Sequence, residues 1–281
     1  MTGPVAARLP GDRLHLQHGP IDLVIDATGD RAAAFAAAWA RFRTVLPELV
    51  AELPALRAPA GRRALDGPVA RRMLRAVLPH AARGFITPMA AVAGAVADEI
   101  LLAMRAAAPL ARAYVNNGGD IALHLAPGQA FRAAIATLAG GDAGRIALDA
   151  AAGIGGIATS GTGGRSFTLG IADQVTVLAA DAAAADAAAT VIANAVDLPG
   201  HPAVTRVPAS SLQPDSDLGD RPVTAGVGPL AAHEVARALD AGAEVAGDLA
   251  RRGLIRAACL MLRGEVRLTR WPQPAGALAH A

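Results

Sequence analysis

The sequence predicts an α+β fold, a mostly antiparallel sheet packed with helices, and three observations carry that expectation. Apolar residues recur at helical spacing in separate blocks near the start, the middle and the end of the chain. Between them, roughly from Ala113 to Thr176, the pattern changes to short alternating segments. With 281 residues and 53% hydrophobic composition, the chain is long enough to bury a substantial core. That core is expected as one domain over residues 1–272, with a frayed tail at 273–281.

Taken in order, Leu14–Gln17 and Ile21–Asp26 flank the turn His18-Gly19-Pro20 and predict an opening hairpin. Asp30 can cap a helix whose Phe35, Trp39, Phe42 and Leu46 form one apolar stripe, and Pro47 is expected to stop it. Leu49 to Gly67 reads as loop or short helix, and a second helix is expected near Pro68–Leu78. Thr87-Pro88 starts a central helix with Met89, Val92, Val96, Ile100 and Met104 on one face. Its first turns are small residues, which permit close approach of another backbone or a ligand. Strands are expected at Ala113–Asn116, Ile121–Leu125, Phe131–Thr137, Ile146–Asp149, Phe167–Leu169 and Gln174–Leu178. A helix from Asp181 to Val196 follows, then a Pro/Asp-rich loop from Leu198 to Thr224. A long helix from Pro229 to Arg252 ends at Gly253, and a last hairpin turns at Arg263-Gly264. The Ala-rich helices Ala32–Leu46 and Leu230–Leu249 suggest a face for a homodimer.

Composition narrows the function classes. Every basic residue is arginine, no lysine occurs, and the net charge is only +2. With 3% aromatics, the Arg62, Arg63, Arg71, Arg72, Arg75 cluster has no stacking platform for nucleic acid. A solvated helix face is the ordinary account of that cluster, and a small anionic ligand is the alternative. The single cysteine, Cys259, excludes an intramolecular disulfide and reads as a buried thiol in the apolar run Ile255–Leu262. The N-terminus has no apolar signal core and no stretch is apolar enough to span a bilayer, so a cytoplasmic protein without membrane association is expected.

Three clusters carry chemistry. Asn116-Asn117-Gly118-Gly119-Asp120 forms a tight turn between strands. The glycine-rich stretch Gly153–Gly164 contains Thr159-Ser160-Gly161-Thr162, which can direct N–H groups and hydroxyls at phosphate oxygens. Asp186, Thr190 and Asn194 fall four residues apart on one face of an otherwise apolar helix; these hard oxygen donors suit Mg²⁺, and a solvated polar stripe explains them equally. Asp120 and Asp98 are candidate acid/base or positioning groups, each equally able to cap a turn or helix, and His201 is a fallback acid/base.

The blocks Thr87–Asp98, Asn116–Asp120, Ala158–Gly161 and Ala185–Thr190 resemble, in order and character, those of the ApbE superfamily of FAD:protein FMN transferases. Asn116–Asp120 is similar to the family's Asn-x-Gly-Gly-Asp turn, Thr159-Ser160-Gly161 to its Thr-Ser-Gly motif, and Ala185–Thr190 to the Ala-Asp-Ala-x-x-Thr helix that supplies metal ligands. The resemblance implies an ApbE-like fold. It implies a metal site of Asp186 and Thr190 with Ala90 from the small-residue helix, and cofactor contacts from Asn116, Gly118, Gly119, Thr159, Ser160, Gly161 and Thr162. Mg²⁺ and FAD or another flavin are the implied cofactors. The chain departs from the transferases in carrying Ala93 where they have a lysine, and in lacking their His-x-x-Asp-Pro stretch. Leu14–Asp26, His201–Val204 and Pro214–Asp220 resemble the cytoplasmic UPF0280 branch of the superfamily. The expectation is therefore a Mg²⁺-assisted enzyme on a flavin-like or other phosphate-bearing heteroaromatic ligand. The alternative is a non-flavin member acting on a methanopterin-type cofactor in one-carbon metabolism, or a ligand-binding protein without catalysis.

Overall fold

The computed structural model describes residues 3–61, 64–136, 142–164 and 166–271. Arg62, Arg63, Thr137 and the tail at 273–281 lie outside the described residues. A nine-stranded antiparallel sheet organises the chain, with β1 (Val5–Leu9), β2 (Arg13–His18), β3 (Ile21–Gly29), β4 (Leu110–Asn117) and β5 (Asp120–Leu125) in sequence order. It continues through β8 (Gly156–Ser160), β9 (Gln174–Ala179), β12 (Ala257–Leu262) and β13 (Glu265–Thr269). Two separate hairpins pair β6 (Ala130–Ala136) with β7 (Asp142–Asp149), and β10 (Val204–Pro208) with β11 (Pro222–Val227). The α+β class and the antiparallel sheet are as the sequence predicts.

Helices cover one face of the sheet. Asp30 caps α1 (Arg31–Ala51), accepting from the Ala33 N–H at 3.1 Å. The expected stop at Pro47 does not occur. Proline frees only the Arg43 carbonyl, both residues are exposed, and buried Leu49 keeps the next turn docked. The stretch expected as loop or short helix carries the short helix α2 (Leu53–Leu56), and α3 (Pro68–Ala81) follows. Pro88–Ala91 is a 3₁₀ turn leading into α4 (Val92–Ala107). Next come α5 (Ala182–Ala195), the short α6 (Ala209–Leu212) and α7 (Ala232–Arg251).

Two expected irregular stretches hold strands. Within Gly153–Gly164, β8 forms because Gly155 and Gly156 have no side chain to collide with the Ala180–Ala182 backbone beside them. Within Leu198–Thr224, Pro208 and Pro222 pair only at the outer end of the β10–β11 ladder, where a missing N–H costs least. Conversely, the strand expected at Phe167–Leu169 is absent, because this segment bonds to helix α5 through Asn194 and Gly170 lies against the Ala193 carbonyl. Arg263-Gly264 turns the last hairpin with φ of 53° and 83°.

The buried faces of α1 (Ala34, Phe35, Ala38, Phe42) and α7 (Val235, Leu239, Ala246, Leu249) point into this chain's own core. The opposite face of α1 leaves Ala32, Ala36 and Ala40 exposed. Cys259 is buried in β12, and burial pushes its thiol up to about 11. Among the described residues, no helix is long and apolar enough to cross a membrane.

Candidate functional site

The seam between α4 and α5 is set by small residues. Gly94 lies in the first turn of α4, and a Cβ there would collide with the Ala182 carbonyl. The starts of the two helices therefore meet backbone to backbone. This closeness lets carboxylates on one helix reach N–H groups on the other. Asp98 accepts from Ala182 and Ala183 N–H at 3.0 and 2.9 Å, while Asp181 accepts from Ala184 N–H at 2.8 Å. Together they satisfy three of the unpaired donors that open any helix. Burial, then the charge of Asp181, pushes the Asp98 carboxyl up to about 7, against the two N–H bonds and Arg72.

In the opposite direction, Asp186 of α5 accepts from the Gly94 N–H at 3.0 Å. Its carboxyl is held well above the ordinary range, first by burial, then by the negative charges of Asp120 and Asp98, opposed by the N–H groups of Gly94 and Ala93. Asp120 opens β5 and accepts from the Thr159 N–H of β8 at 3.3 Å. Two carboxylates, Asp186 and Asp120, thus share the mouth of the seam. Thr190 lies one helical turn beyond Asp186 on the same face and is half-buried. The 3₁₀ turn that contains Ala90 packs against α5.

Asn194, the third member of the predicted stripe, is spent elsewhere. Its amide oxygen accepts from the Thr168 hydroxyl at 3.1 Å and the Leu169 N–H at 2.9 Å, pinning that turn to the helix. Asn116 also serves its own turn, accepting from Gly119 N–H at 2.8 Å, with Gly118 and Gly119 at φ of 65° and 116°. Asn117 is the residue that reaches the seam. It is 5% exposed and donates to the Ala93 carbonyl at 3.1 Å. Sequence reasoning passed over it, although strand parity could have found it: Ala113, Val115 and Asn117 alternate on the buried side of β4.

The glycine-rich stretch is folded inward. The Thr162 N–H and hydroxyl both go to the Ala172 carbonyl, at 2.8 and 3.1 Å, and Gly163 N–H goes to Asp173 at 3.4 Å. Gly164 N–H returns to Gly161 at 3.1 Å, and Gly161, at φ 138°, passes beside the Asp173 carbonyl. Thr159, exposed near Asp120, shares its hydroxyl with Thr176 at 3.0 Å, and Ser160 ends β8.

His201 lies past the other end of α5. Its Nε2 is 2.8 Å from Glu234, and its Nδ1 accepts from the Ala203 N–H at 3.2 Å, so both ring nitrogens are engaged in holding the loop to the start of α7. The structure therefore gathers Asp186, Thr190, Asp120 and Thr159 with the α4 start, and leaves His201 and Asn194 apart from them. Among the described residues no group of three or more His, Cys, Asp or Glu is placed to hold a metal ion. The donor set at the seam is instead oxygen from carboxylate, hydroxyl and backbone carbonyl, the kind that suits a hard cation.

Fold and site define an α+β protein with an acidic seam where two small-residue helices cross. A profile of the family described as "AbpE bacteria" matches residues 6–268, and the chain belongs to that family. It is similar to a UPF0280 protein of Methanopyrus kandleri, 38% identical over 181 residues, covering 62% of this chain and 69% of the relative. A UPF0280 protein of Methanothrix thermoacetophila is 40% identical over 136 residues, which are 46% of this chain and about half, 52%, of the relative's length. Among solved structures, the ApbE protein of Thermotoga maritima superposes with a TM-score of 0.49 at 13% identity, covering 91% of this chain and 96% of its own.

Proposed function

We propose that the chain binds Mg²⁺ together with a flavin, or another phosphate-bearing heteroaromatic ligand, at the seam between α4 and α5, and acts at the pyrophosphate. The observation that carries this reading is the meeting of Asp186 and Asp120 at the mouth of a seam whose other wall is the start of α4. Asp120 helps to raise the proton affinity of Asp186, a repulsion that a cation relieves, and Thr190 and the Ala90 carbonyl are the further hard oxygens at hand. The residues fit the ion: they are oxygen donors, and Asp186, Asp120 and Thr190 are each only partly buried. When bound, Mg²⁺ would neutralise pyrophosphate oxygens and stabilise charge on the leaving oxygen.

The chain's own residues divide the remaining tasks. Asp186 is oriented by the Gly94 N–H, and Asn117 fixes the Ala93 carbonyl so that the α4 start stays in place. Asp120 holds the β5 and β8 ends together through Thr159 and faces the ligand side as the positioning or proton-accepting group. Asp98, with both oxygens on N–H groups of α5, serves to build the seam rather than to move protons.

Two observations favour a second reading, a pterin-type ligand bound without metal. Ala93 stands where the transferases carry lysine, and the N–H groups of Thr162–Gly164 are turned to carbonyls rather than to an anion. Calorimetric titration of FAD with Mg²⁺ and then with chelator, followed by product analysis for FMN and AMP, separates the two. Metal-dependent binding with cleavage supports the pyrophosphate reading. Binding that is indifferent to chelator, or no binding at all, contradicts it.

A further inference from the structure

The Pro/Asp-rich stretch between β10 and β11 is longer than a hairpin needs. A connection of about two to five residues closes such a ladder, whereas residues 209–221 hold α6 and a further loop. The loop is mostly exposed, so apolar burial does not account for it. It is nevertheless braced from within. Ser210 N–H donates to the Gly219 carbonyl at 2.8 Å, Gly219 N–H to the Ser216 carbonyl at 3.2 Å, and Leu218 N–H to the Ser216 hydroxyl at 3.3 Å.

Three side chains of this braced loop reach one place, the chain that leads into α4. Asp215 pairs with Arg57 at 2.7 Å, the Arg221 guanidinium lies 3.4 Å over the centre of the Phe85 ring, and Asp217 accepts from the Thr87 hydroxyl. The two segments they hold are themselves joined, with Ala60 N–H donating to the Ile86 carbonyl at 2.8 Å.

Thr87 is the informative contact. It is 2% exposed, and a threonine that precedes a helical turn ordinarily gives its hydroxyl to the free N–H groups of that turn. Here its side chain makes no such cap and goes to Asp217 instead. A hydroxyl bonded to a carboxylate is among the stronger hydrogen bonds, and it fixes the entry to the 3₁₀ turn Pro88–Ala91. The Thr87 carbonyl in turn accepts from the Ala90 N–H at 3.2 Å, and the turn packs against α5. A single 3₁₀ turn has poor internal hydrogen bonds, so its orientation depends on what holds its first residue.

We propose that Asp217 is a positioning residue for the cation site: through Thr87 it fixes the turn that carries the Ala90 carbonyl, and the 209–221 loop is the strap that delivers it. This rests on the reading of the seam as a Mg²⁺ site. Asp217 itself need not touch the ion.

The test compares the full chain with Asp217→Ala, Asp217→Asn, Thr87→Val, the Asp217→Ala/Thr87→Val pair and Arg57→Ala. Two quantities are read: the exchange rate of the Ala90 amide in chelator, and the Mg²⁺ concentration that gives half-maximal calorimetric binding of FAD. Asp217→Ala and Thr87→Val should each speed the exchange and raise that concentration about tenfold, and the pair no further, because both remove one bond. Asp217→Asn keeps an acceptor for the hydroxyl and should stay within about threefold of wild type. Arg57→Ala frees the loop at its other anchor and should change neither quantity. Thr87→Val keeps the test sound if Asp217→Ala folds poorly. An unchanged Mg²⁺ requirement in Asp217→Ala and Thr87→Val, or a rise as large in Arg57→Ala, overturns the positioning role and leaves the seam reading standing. Wild type that binds FAD without regard to Mg²⁺, or not at all, overturns the seam reading and this proposal with it.

Discussion

The two halves of the helical layer are packed in different ways. Against β2–β5, α1, α3 and α4 bury large side chains, with Phe42, Leu16, Leu23, Ile25, Met73, Ile100 and Met104 fully enclosed. Against β8 and β9, α5 buries almost only alanine, at Ala182, Ala183, Ala185, Ala187, Ala188, Ala189 and Ala193 with Ile192, while α7 mixes alanine with Val235, Leu239 and Leu249. Large side chains keep backbones apart and fill the space between them. Small ones let backbones touch, and only where backbones touch can a carboxylate on one helix bond the N–H groups that open another. The candidate site lies at the boundary between these two packings, where Gly94 meets Ala182.

The contrast predicts opposite responses to a change in volume. Phe42→Ala, in the large-residue half, removes a fully buried ring and is expected to cost about 3–5 kcal/mol in denaturant unfolding. A loss below about 1 kcal/mol would mean that this half closes over cavities as readily as the other. Gly94→Ala, at the boundary where α4 meets the alanine-rich α5, adds one methyl and is expected to cost about 1–3 kcal/mol because two helices must separate. An unchanged stability would show that the seam is looser than its geometry implies.

The next effect concerns pH. Because burial and Asp181 push the Asp98 carboxyl up to about 7, the folded chain keeps a proton there that the unfolded chain releases near the ordinary carboxylate value. Its contribution to stability is thus full at low pH and is lost as pH rises through about 7. His80 works the other way: its proton affinity is depressed to about 4 in the fold, so stability falls as pH drops from the ordinary histidine value toward 4. Comparison with Asp98→Asn isolates the first term. The wild type should gain roughly 2–3 kcal/mol relative to that variant at pH 5 compared with pH 8. A constant difference across that range would place the Asp98 proton affinity near its ordinary value.

How much of this was legible in sequence follows the same division. Helices with large apolar stripes, such as Phe35, Phe42 and Leu46 in α1, announce themselves by periodicity, and the Asp30 and Asp181 caps by residue type. The end of α1 does not, since Pro47 is a breaker only where its freed carbonyl is buried. The strand β8 was hidden for a related reason: its glycines signal a loop locally and are required by a neighbour, the Ala180–Ala182 backbone, that lies distant in sequence. β1 has no buried alternation to read. At the site, the resemblance selected Asp186, Thr190, Asp120 and Thr159, which the fold brings to the seam. The resemblance also favoured Asn116 over Asn117, and helical spacing offered Asn194, because hydrogen bonds to a turn leave no mark on spacing.

The smallest expected effect on stability is at Asp186, where loss of the Gly94 N–H bond is offset by relief of repulsion from Asp120. Asp186→Ala should change unfolding free energy by no more than about 1 kcal/mol. Its effect on binding should be large, and this gives the most direct test of the central claim. FAD is titrated calorimetrically into wild type and Asp186→Ala, each with Mg²⁺ and with chelator. The account predicts tight binding only for wild type with Mg²⁺, with the other three titrations alike. Equal, Mg²⁺-dependent affinity in the two proteins would contradict it and move the metal away from the α4–α5 seam.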